Sequence, residues 1–503
     1  MEVIGSLLSG FEVALTPYNL LWCFIGVLLG TIVGVLPGLG PAATIAMLLP
    51  LTFKMEPTSA VIMLAGIYYG AKYGGSTTAI LLNVPGESAS VVTCLDGYQM
   101  ARNGRAGAAL GIAAIASFVA GTVGVIGLML IAPPLARMAL SFSSPEYFAL
   151  MALGLAMVVL LAGKSLIKAL LAMLVGLWIA GIGTDLFTAG SRFTFGQSEL
   201  LDGVDFVVVA IGIFALGEVF GNMESRAGGQ ILPVPKGLRN LLPTLAELKA
   251  CRFAFLNGSV VGFLIGVLPG AGSTIASFIS YGIEKAVSKH PEKFGTGVPE
   301  GVAAPEGANN SETGGAMVPL LTLGIPGSGT TAILLAAFIL WGLKPGPLMI
   351  QDNPTLFWGL VASMYVGNVM LLVLNLPLIP LFAQILRLPS YVLFPIIFGI
   401  SIVGVYSVSG SLFDVWMLGF FGLLGYAMRR LDYPSAPLIL GLVLGDSMER
   451  ALRQSLMMSQ GDLAILVSRP ISATMLLLAV VILMLPLFRK ANAWRVRAVE
   501  EGA

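Results

Sequence analysis

Two Pro-Gly breaks inside long apolar stretches are the features of this chain most able to do chemistry. Residues 34–40 read Gly-Val-Leu-Pro-Gly-Leu-Gly, and residues 266–272 read Gly-Val-Leu-Pro-Gly-Ala-Gly. Proline ends a helix by removing a backbone donor, and glycine permits the turn that follows. The N–H groups after such a break carry partial positive charge and suit an anion, whereas the free carbonyls before it suit Na⁺. Unless they are simple kinks, the breaks predict a combined carboxylate and cation site.

Hydroxyl and amide side chains cluster beside these breaks and beside a second pair of motifs, Pro85-Gly86 and Pro326-Gly327. They can contact carboxylate and Na⁺ alike, although a hydroxyl in a membrane helix often bonds the carbonyl four residues earlier. Lys72 and Glu87 are ionisable groups within the apolar region; they pair, or Lys72 faces an anion or extends to the membrane interface. The predicted substrate-binding residues are Gly38, Gly40, Ser76, Thr77, Gly270, Gly272, Ser273, Thr274, Ser328 and Thr330, and the predicted cation-binding residues are Asn83, Pro85, Asn310 and Pro326.

The composition places these motifs in a membrane. Of 503 residues, 57% are hydrophobic and 11% are charged, whereas soluble domains carry about 25% charged residues. A net charge of +1 provides no basic surface for nucleic acid. Three widely spaced cysteines and one histidine predict neither a disulfide framework nor a familiar metal site. No cofactor is expected beyond Na⁺ as the coupling ion.

The elements that position the motifs are membrane helices. A bilayer core of about 30 Å needs about 20 helical residues, and backbone groups in lipid must be satisfied within the chain. Charge-free stretches, among them 253–283 and 313–343, predict about 10–12 spanning helices together with broken or re-entrant half-helices. The predicted fold is an all-α polytopic membrane protein.

The chain contains an internal repeat. Residues 26–40 recur 232 positions later with eight of fifteen identities, and a second block recurs from Gly74-Gly75 and from Gly314-Gly315, with one extra residue in the later copy. Placing the Lys and Arg clusters in the cytoplasm gives the two copies opposite orientations, an arrangement typical of secondary transporters. It puts the N-terminus on the side of the membrane opposite the cytoplasm and the C-terminus in the cytoplasm. The predicted divisions are a first repeat at 1–221, a cytoplasmic linker at 222–252, a second repeat at 253–448, and a last loop, helix and basic tail at 449–503.

The motif set resembles the large membrane subunit of the tripartite tricarboxylate transporters, the TctA family. Besides the two breaks, the resemblance rests on Leu-Asn-Val-Pro-Gly-Glu at 82–87, Asp-Gly-Tyr at 96–98, Pro-Glu-Gly-Ala-Asn-Asn at 305–310 and Gly-Ile-Pro-Gly-Ser-Gly-Thr at 324–330. It covers nearly the whole chain.

The resemblance implies a multi-pass permease of the bacterial inner membrane. Its expected partners are a small membrane subunit of about four helices and a periplasmic solute-binding protein, besides the lipid bilayer. The substrates it implies are carboxylates such as citrate, imported with a cation gradient, commonly Na⁺. The leading hypothesis is therefore a secondary-active carboxylate importer that works by alternating access and is not an enzyme. The alternatives are a passive anion channel and a membrane-embedded enzyme, which would need a convergent acid–base or metal constellation.

Overall fold

A computed structural model describes residues 2–36, 40–161, 165–185, 187–223, 232, 240–385 and 390–484. Within these ranges the chain is almost entirely helical, and its strands form one antiparallel pair, Gly183–Thr184 (β1) with Ser191–Arg192 (β2). The all-α prediction is confirmed. Gly38, most of the predicted 222–252 linker and the basic tail lie outside the described residues.

The helices are α1 Glu2–Ala14, α2 Pro17–Val35, α3 Pro41–Leu48, α4 Pro57–Leu82, α5 Thr93–Met100, α6 Ala106–Ala139, α7 Ser144–Leu161, α8 Leu166–Ala180, α9 Phe206–Ala210, α10 Gly217–Met223, α11 Leu245–Ala250, α12 Arg252–Val267, α13 Gly272–Val287, α14 Glu300–Leu323, α15 Gly329–Leu340, α16 Met349–Asp352, α17 Pro354–Ile385, α18 Ser390–Ser409, α19 Leu412–Arg430, α20 Ser435–Met458, α21 Ile465–Ser468 and α22 Pro470–Met484.

Several helices have the length and composition of membrane spans. Among the described residues, four apolar segments are long enough to cross a bilayer, Pro17–Val35, Thr93–Ala139, Pro354–Asn375 and Leu412–Arg430, and further apolar helices are shorter. Large apolar side chains such as Ile4, Leu8 and Trp416 are exposed on the surface, as lipid contact requires. The chain is therefore a multi-pass membrane protein.

The described residues divide into two compact units, one within 1–139 and 207–427 and the other within 140–206 and 428–503. In the first unit, α4 and α14 form the core. Every residue of α14 from Gly301 to Thr322 is buried, although this helix contains Glu306 and Glu312. The charge-free stretches end at 283 and resume at 313, so they miss most of α14. The reason is physical, because its carboxylates have protein surroundings and not lipid.

Glycines bring α2 of the first copy and α12 of the second copy into backbone contact with the core helices α4 and α14. A Cβ on Gly34 of α2 would lie 2.2 Å from the Ala71 carbonyl oxygen of α4, and a Cβ on Gly266 of α12 would lie 2.5 Å from the Glu312 carbonyl oxygen of α14. Such distances exclude any side chain, which is the usual role of small residues every fourth position in membrane helices. The glycines are 232 positions apart and their partners 241 apart.

The spacing of 241 also aligns the second block of the repeat. A Cβ on Gly74 would meet the Thr31 carbonyl oxygen at 2.2 Å, and a Cβ on Gly315 would meet the Phe263 carbonyl oxygen at 2.4 Å. Thr31 and Phe263 are themselves 232 positions apart. Gly74 is therefore equivalent to Gly315 and not to Gly314, and the extra residue inferred from the sequence is not needed.

In the second unit, α7, α8 and α20 pack together, and a short loop contains a carboxylate that joins two arginines. Asp185 accepts hydrogen bonds from the backbone N–H groups of Phe187 and Thr188 and ion-pairs with Arg192 and Arg453. These backbone bonds, together with Arg453, lower the pKa of Asp185 to about 2. The charge network ties the 181–206 loop to α20.

Candidate functional site

The break between α12 and α13 has the form that the sequence predicts. α12 ends at Val267, and Gly270 and Gly272 take φ values of +83° and +65°, which L-residues with side chains rarely adopt. The Gly270 N–H donates to the Gly327 carbonyl over 2.7 Å. This break therefore lies against the second Pro-Gly motif of the same copy, and one of its N–H groups is already engaged. The corresponding break of the first copy lies mostly at 37–39, outside the described residues.

The two core helices end in the same way. Asn83 caps α4 with φ 57° and Gly324 caps α14 with φ 70°, both in the left-handed conformation. A Pro-Gly pair follows each cap. A Cβ on Gly86 would lie 2.2 Å from the Gly34 carbonyl oxygen, so only glycine lets the chain pass the end of α2. Among the described residues, the interruption at 83–86 is thus held against the end of α2 by a contact that needs glycine.

Lys72 is a buried cation that joins the two copies. Its side chain, on α4, donates from Nζ to Glu87 Oε2 over 3.0 Å and to Ser273 Oγ over 2.6 Å. Glu87 directly follows Pro85-Gly86, and Ser273 lies in the first turn of α13. The Tyr68 ring centroid is 5.5 Å from the same Nζ. Lys72 is 2% exposed and is the only Lys or Arg among the described residues that is buried. Of the alternatives that the sequence leaves open for Lys72, the structure has the pairing with Glu87.

A second carboxylate, that of Glu312 on α14, lies against the same face of α4. The Tyr68 hydroxyl donates to Glu312 Oε2 over 3.0 Å, and Glu312 interacts electrostatically with Lys72 and Glu87. Tyr68 and Lys72 are one helical turn apart, so each holds one carboxylate. The remaining oxygens, Oε1 of Glu87 and Oε1 of Glu312, have no hydrogen-bond partner among the described residues. Buried carboxylate oxygens without partners are costly, and a cation or a proton would satisfy them.

Glu306, earlier on α14, is a third buried carboxylate. Its oxygens accept hydrogen bonds from Ser76 over 2.5 Å, from Thr93, and from Asn309 over 3.2 Å. The donors come from α4, α5 and α14, and all are neutral. With Glu87, Glu306 and Glu312 against Lys72, the cluster contains three carboxylates and one ammonium group.

The structure brings several predicted residues to this cluster. Ser273 contacts Lys72, Ser76 contacts Glu306, and Thr274 donates to Ser88 Oγ over 2.9 Å. Ser328 caps α15, where its hydroxyl accepts from the Thr331 N–H. These contacts combine residues from both copies of the repeat around one group of charges.

Asn310 is another buried polar residue of α14. Its Nδ2 donates to Ser117 Oγ over 2.7 Å and to the Glu306 carbonyl over 3.0 Å. The amide therefore lies one turn from the Glu306 carboxylate, on the side of α6. Asn310 is 2% exposed.

The other predicted residues lie at the margins of the cluster. Gly40 caps α3 and Thr330 is half-buried in the first turn of α15. Thr77 lines a narrow cleft with Tyr73 and Asn375. The remaining predicted cation ligands differ in burial, because Pro326 is buried, Pro85 is partly buried and Asn83 is exposed.

Glu306 and Glu312 are functional candidates that the sequence reasoning missed. Charged residues usually mark the ends of membrane spans, so neither carboxylate stands out in the sequence. A signal was present, because both residues lie among small and apolar residues from Gly301 to Leu323 that could form a buried helix. Their donors, Ser76 and Tyr68, are more than 200 positions away and only the fold reveals them.

Asp96 forms a separate structural link between the copies. Its carboxylate accepts hydrogen bonds from the backbone N–H groups of Gly295, Gly297 and Val298 at 2.8–3.0 Å, and from the Tyr281 hydroxyl over 2.9 Å. Asp96 is fully buried. It fixes the loop that precedes α14, and so helps to place the carboxylates of that helix.

Comparison with known proteins agrees with these features. Residues 20–440 match the tripartite tricarboxylate transporter TctA family. The chain is 50% identical over 492 residues to an Agrobacterium vitis protein described as an uncharacterized 52.8 kDa protein in the TAR-I ttuC' 3' region, covering 97% of this chain and 98% of that protein. It is 46% identical over 231 residues to a second Agrobacterium vitis protein, described as an uncharacterized protein in the TAR-II ttuC' 3' region, covering 45% of this chain and 96% of that protein. No solved structure matches.

Proposed function

Because this chain belongs to the TctA family of tripartite tricarboxylate transporters, we propose that it is the permease subunit that imports carboxylate anions by secondary-active transport. Membership makes it a component of a tripartite transporter. The direction of transport, the coupling and the partners are our proposal. We place the chain in the bacterial inner membrane, with its N-terminus in the periplasm and its C-terminus in the cytoplasm.

The observation that carries the proposal is the position of Lys72. It is a buried cation at the meeting of two helix interruptions, beside the hydroxyl of Ser273 and the first turn of α13. An ammonium group, a hydroxyl and backbone N–H groups are together the usual partners of a carboxylate. We propose that the break residues and the hydroxyls of Ser76, Thr77, Ser273, Thr274, Ser328 and Thr330 surround the carboxylates of the substrate, with tricarboxylates and related acids as the substrate class.

The negative charge of the cluster supports cation coupling. The cluster contains three buried carboxylates and one ammonium group, and an incoming anion adds further negative charge. A burial of uncompensated charge costs several kcal/mol, of the order of 3–5 kcal/mol for a broken buried pair. We propose Na⁺ as the compensating ion, held by carbonyls near Pro85 and Pro326 and by the amides of Asn83 and Asn310.

The duplicated packing supports an alternating-access mechanism. The same glycine contacts occur in both copies, and substrate sites of transporters with inverted repeats lie where the repeats meet. We propose that the copies have opposite orientations in the membrane and that one substructure moves against the other, as in an elevator or a rocking motion. We further propose a small membrane subunit of about four helices and a periplasmic solute-binding protein that delivers the substrate.

Reconstitution in liposomes tests the proposal. The chain and the two partner subunits would be combined, and uptake of radiolabelled citrate, malate and succinate would be measured under imposed Na⁺ or H⁺ gradients. We expect one gradient to drive accumulation above equilibrium. Uptake that ignores every imposed gradient would refute the coupled mechanism, and uptake at channel-like rates without counterflow would favour a passive pore. A chemically altered product would indicate an enzyme.

A further inference from the structure

Glu87 occupies the position that a substrate carboxylate would take. Glu87 Oε2 lies 3.0 Å from Lys72 Nζ. Ser273 Oγ, which belongs to the second copy of the repeat, lies 2.6 Å from the same nitrogen. An amine surrounded by one carboxylate and one hydroxyl is the arrangement expected of a carboxylate-binding site with its anion in place. Here the anion comes from the chain itself.

The attachment of Glu87 suits a group that exchanges. Its backbone is anchored, because the Glu87 N–H donates to Ser90 Oγ and the Ser90 hydroxyl donates back to the Glu87 carbonyl. Its side chain is less completely held, since Oε1 has no hydrogen-bond partner among the described residues. The residue lies on the segment between α4 and α5, directly before the short 3-10 helix Ser88–Val91.

We propose that Lys72 is the principal substrate-binding cation and that Glu87 is an internal competitor that neutralises it in the empty carrier. The inference rests on the proposed function, because it names the residue that meets the carboxylate. A substrate carboxylate displaces the carboxylate of Glu87 from Lys72 and from the neighbourhood of Ser273. No bond is made or broken covalently; one ion pair replaces another.

The displacement explains why an added cation is required. Once Glu87 loses Lys72, its carboxylate stays buried beside Glu312, and both then have unpartnered oxygens with no ammonium group to balance them. Free charges in a low-dielectric interior are strongly disfavoured. A cation bound close to these carboxylates restores the balance, so substrate binding and cation binding promote each other.

The test measures binding of radiolabelled citrate, malate and succinate to the full-length chain in detergent, in Na⁺-free buffer and over a series of Na⁺ concentrations. Glu87→Gln keeps the shape but removes the competing charge. We expect its affinity in Na⁺-free buffer to exceed that of the wild type by at least about tenfold, since a unit charge 3.0 Å from the ammonium group is removed. We also expect its affinity to depend less steeply on Na⁺. Glu292→Gln, on an exposed loop, is the matched control and should behave as the wild type.

A second variant covers loss of the lysine. Lys72→Gln leaves Glu87 buried without its partner and is at risk of misfolding, whereas Lys72→Gln/Glu87→Gln removes both charges together. We expect the double variant to fold, as shown by its elution from a sizing column, and to bind the acids at least about tenfold more weakly than the wild type.

The outcomes separate the inference from the proposed function. If the wild type binds none of the three acids with or without Na⁺, both are overturned. If the wild type binds but Glu87→Gln keeps the same affinity and the same Na⁺ dependence as Glu292→Gln, the inference alone is wrong. Wild-type affinity in the folded double variant would likewise remove Lys72 from the site.

Discussion

Replacing Asp96 by asparagine tests how firmly the two copies are joined. The carboxylate accepts from three backbone N–H groups, those of Gly295, Gly297 and Val298. Hydrogen bonds to a charged group contribute about 1.5–3 kcal/mol each and neutral ones about 0.5–1.5 kcal/mol. Asp96→Asn therefore loses about 1 kcal/mol per bond, which gives about 3 kcal/mol for the loop. That corresponds to about 150-fold in a local opening equilibrium.

Hydrogen exchange followed by mass spectrometry resolves this loop directly. The amides at 295, 297 and 298 should exchange about 150-fold faster in Asp96→Asn than in the wild type, while the amides of α17 should be unchanged. Asn103→Ala is the matched control, because the Asn103 side chain makes a single exposed bond of 3.4 Å to the same loop. Equal exchange at these three amides in the two variants would show that the charge of Asp96 does not hold the loop.

Three further predictions concern packing, charge and pH. Gly34→Ala should lower the stability of the detergent-solubilised chain by about 2–3 kcal/mol, because its Cβ would meet the Ala71 carbonyl oxygen at 2.2 Å; thermal unfolding measures this. Glu306→Gln should keep or raise the melting temperature, since a buried charge is removed, but should reduce gradient-driven uptake in liposomes by at least about tenfold. Asp185 has a pKa lowered to about 2 from an ordinary value of 3.8, so its stabilising contribution is complete above about pH 4 and is lost as the pH falls toward 2; melting curves of wild type and Asp185→Asn over this range should converge at the acid end.

Each of these predictions has a control and a contrary result. Gly282→Ala, at an exposed helical glycine with open space around it, should be neutral or stabilise by about 0.5–1 kcal/mol; if it costs as much as Gly34→Ala, close packing is not the cause. Glu292→Gln should leave uptake unchanged, and normal uptake by Glu306→Gln would exclude that carboxylate from the transport cycle. A constant gap between the Asp185 curves would show that the aspartate does not titrate as described.

The helical class, the breaks and the glycine contacts could be predicted because they depend on local rules. Proline and glycine interrupt a helix whatever surrounds it, and glycine every fourth residue gives a flat helix face. The pairing of Lys72 with Glu87 was accessible for a similar reason, since an apolar stretch offers a charge few partners. The register of Gly74 with Gly315 was accessible as well, because Pro85 and Pro326 are likewise 241 positions apart. It is easily missed, since two adjacent glycines in each copy also permit the alignment shifted by one residue.

The carboxylates of α14 show where such reasoning ends. A charged residue in an apolar stretch indicates the end of a membrane span unless the residue that pairs with it is known. Glu306 is stabilised by Ser76 and Thr93, which precede it by 230 and 213 positions. Composition within a window of 20 residues contains nothing of this. The same long-range dependence applies to Asp96, whose partners lie about 200 positions later.

The hydrogen bond from the Gly270 N–H to the Gly327 carbonyl has a mechanical meaning. It connects the two interruptions of one copy, one directly before α13 and the other directly before α15. Any displacement that preserves this bond carries both helix starts along as one body. If α13 and α15 move during transport, we expect hinge points at their C-terminal ends, away from this hydrogen bond.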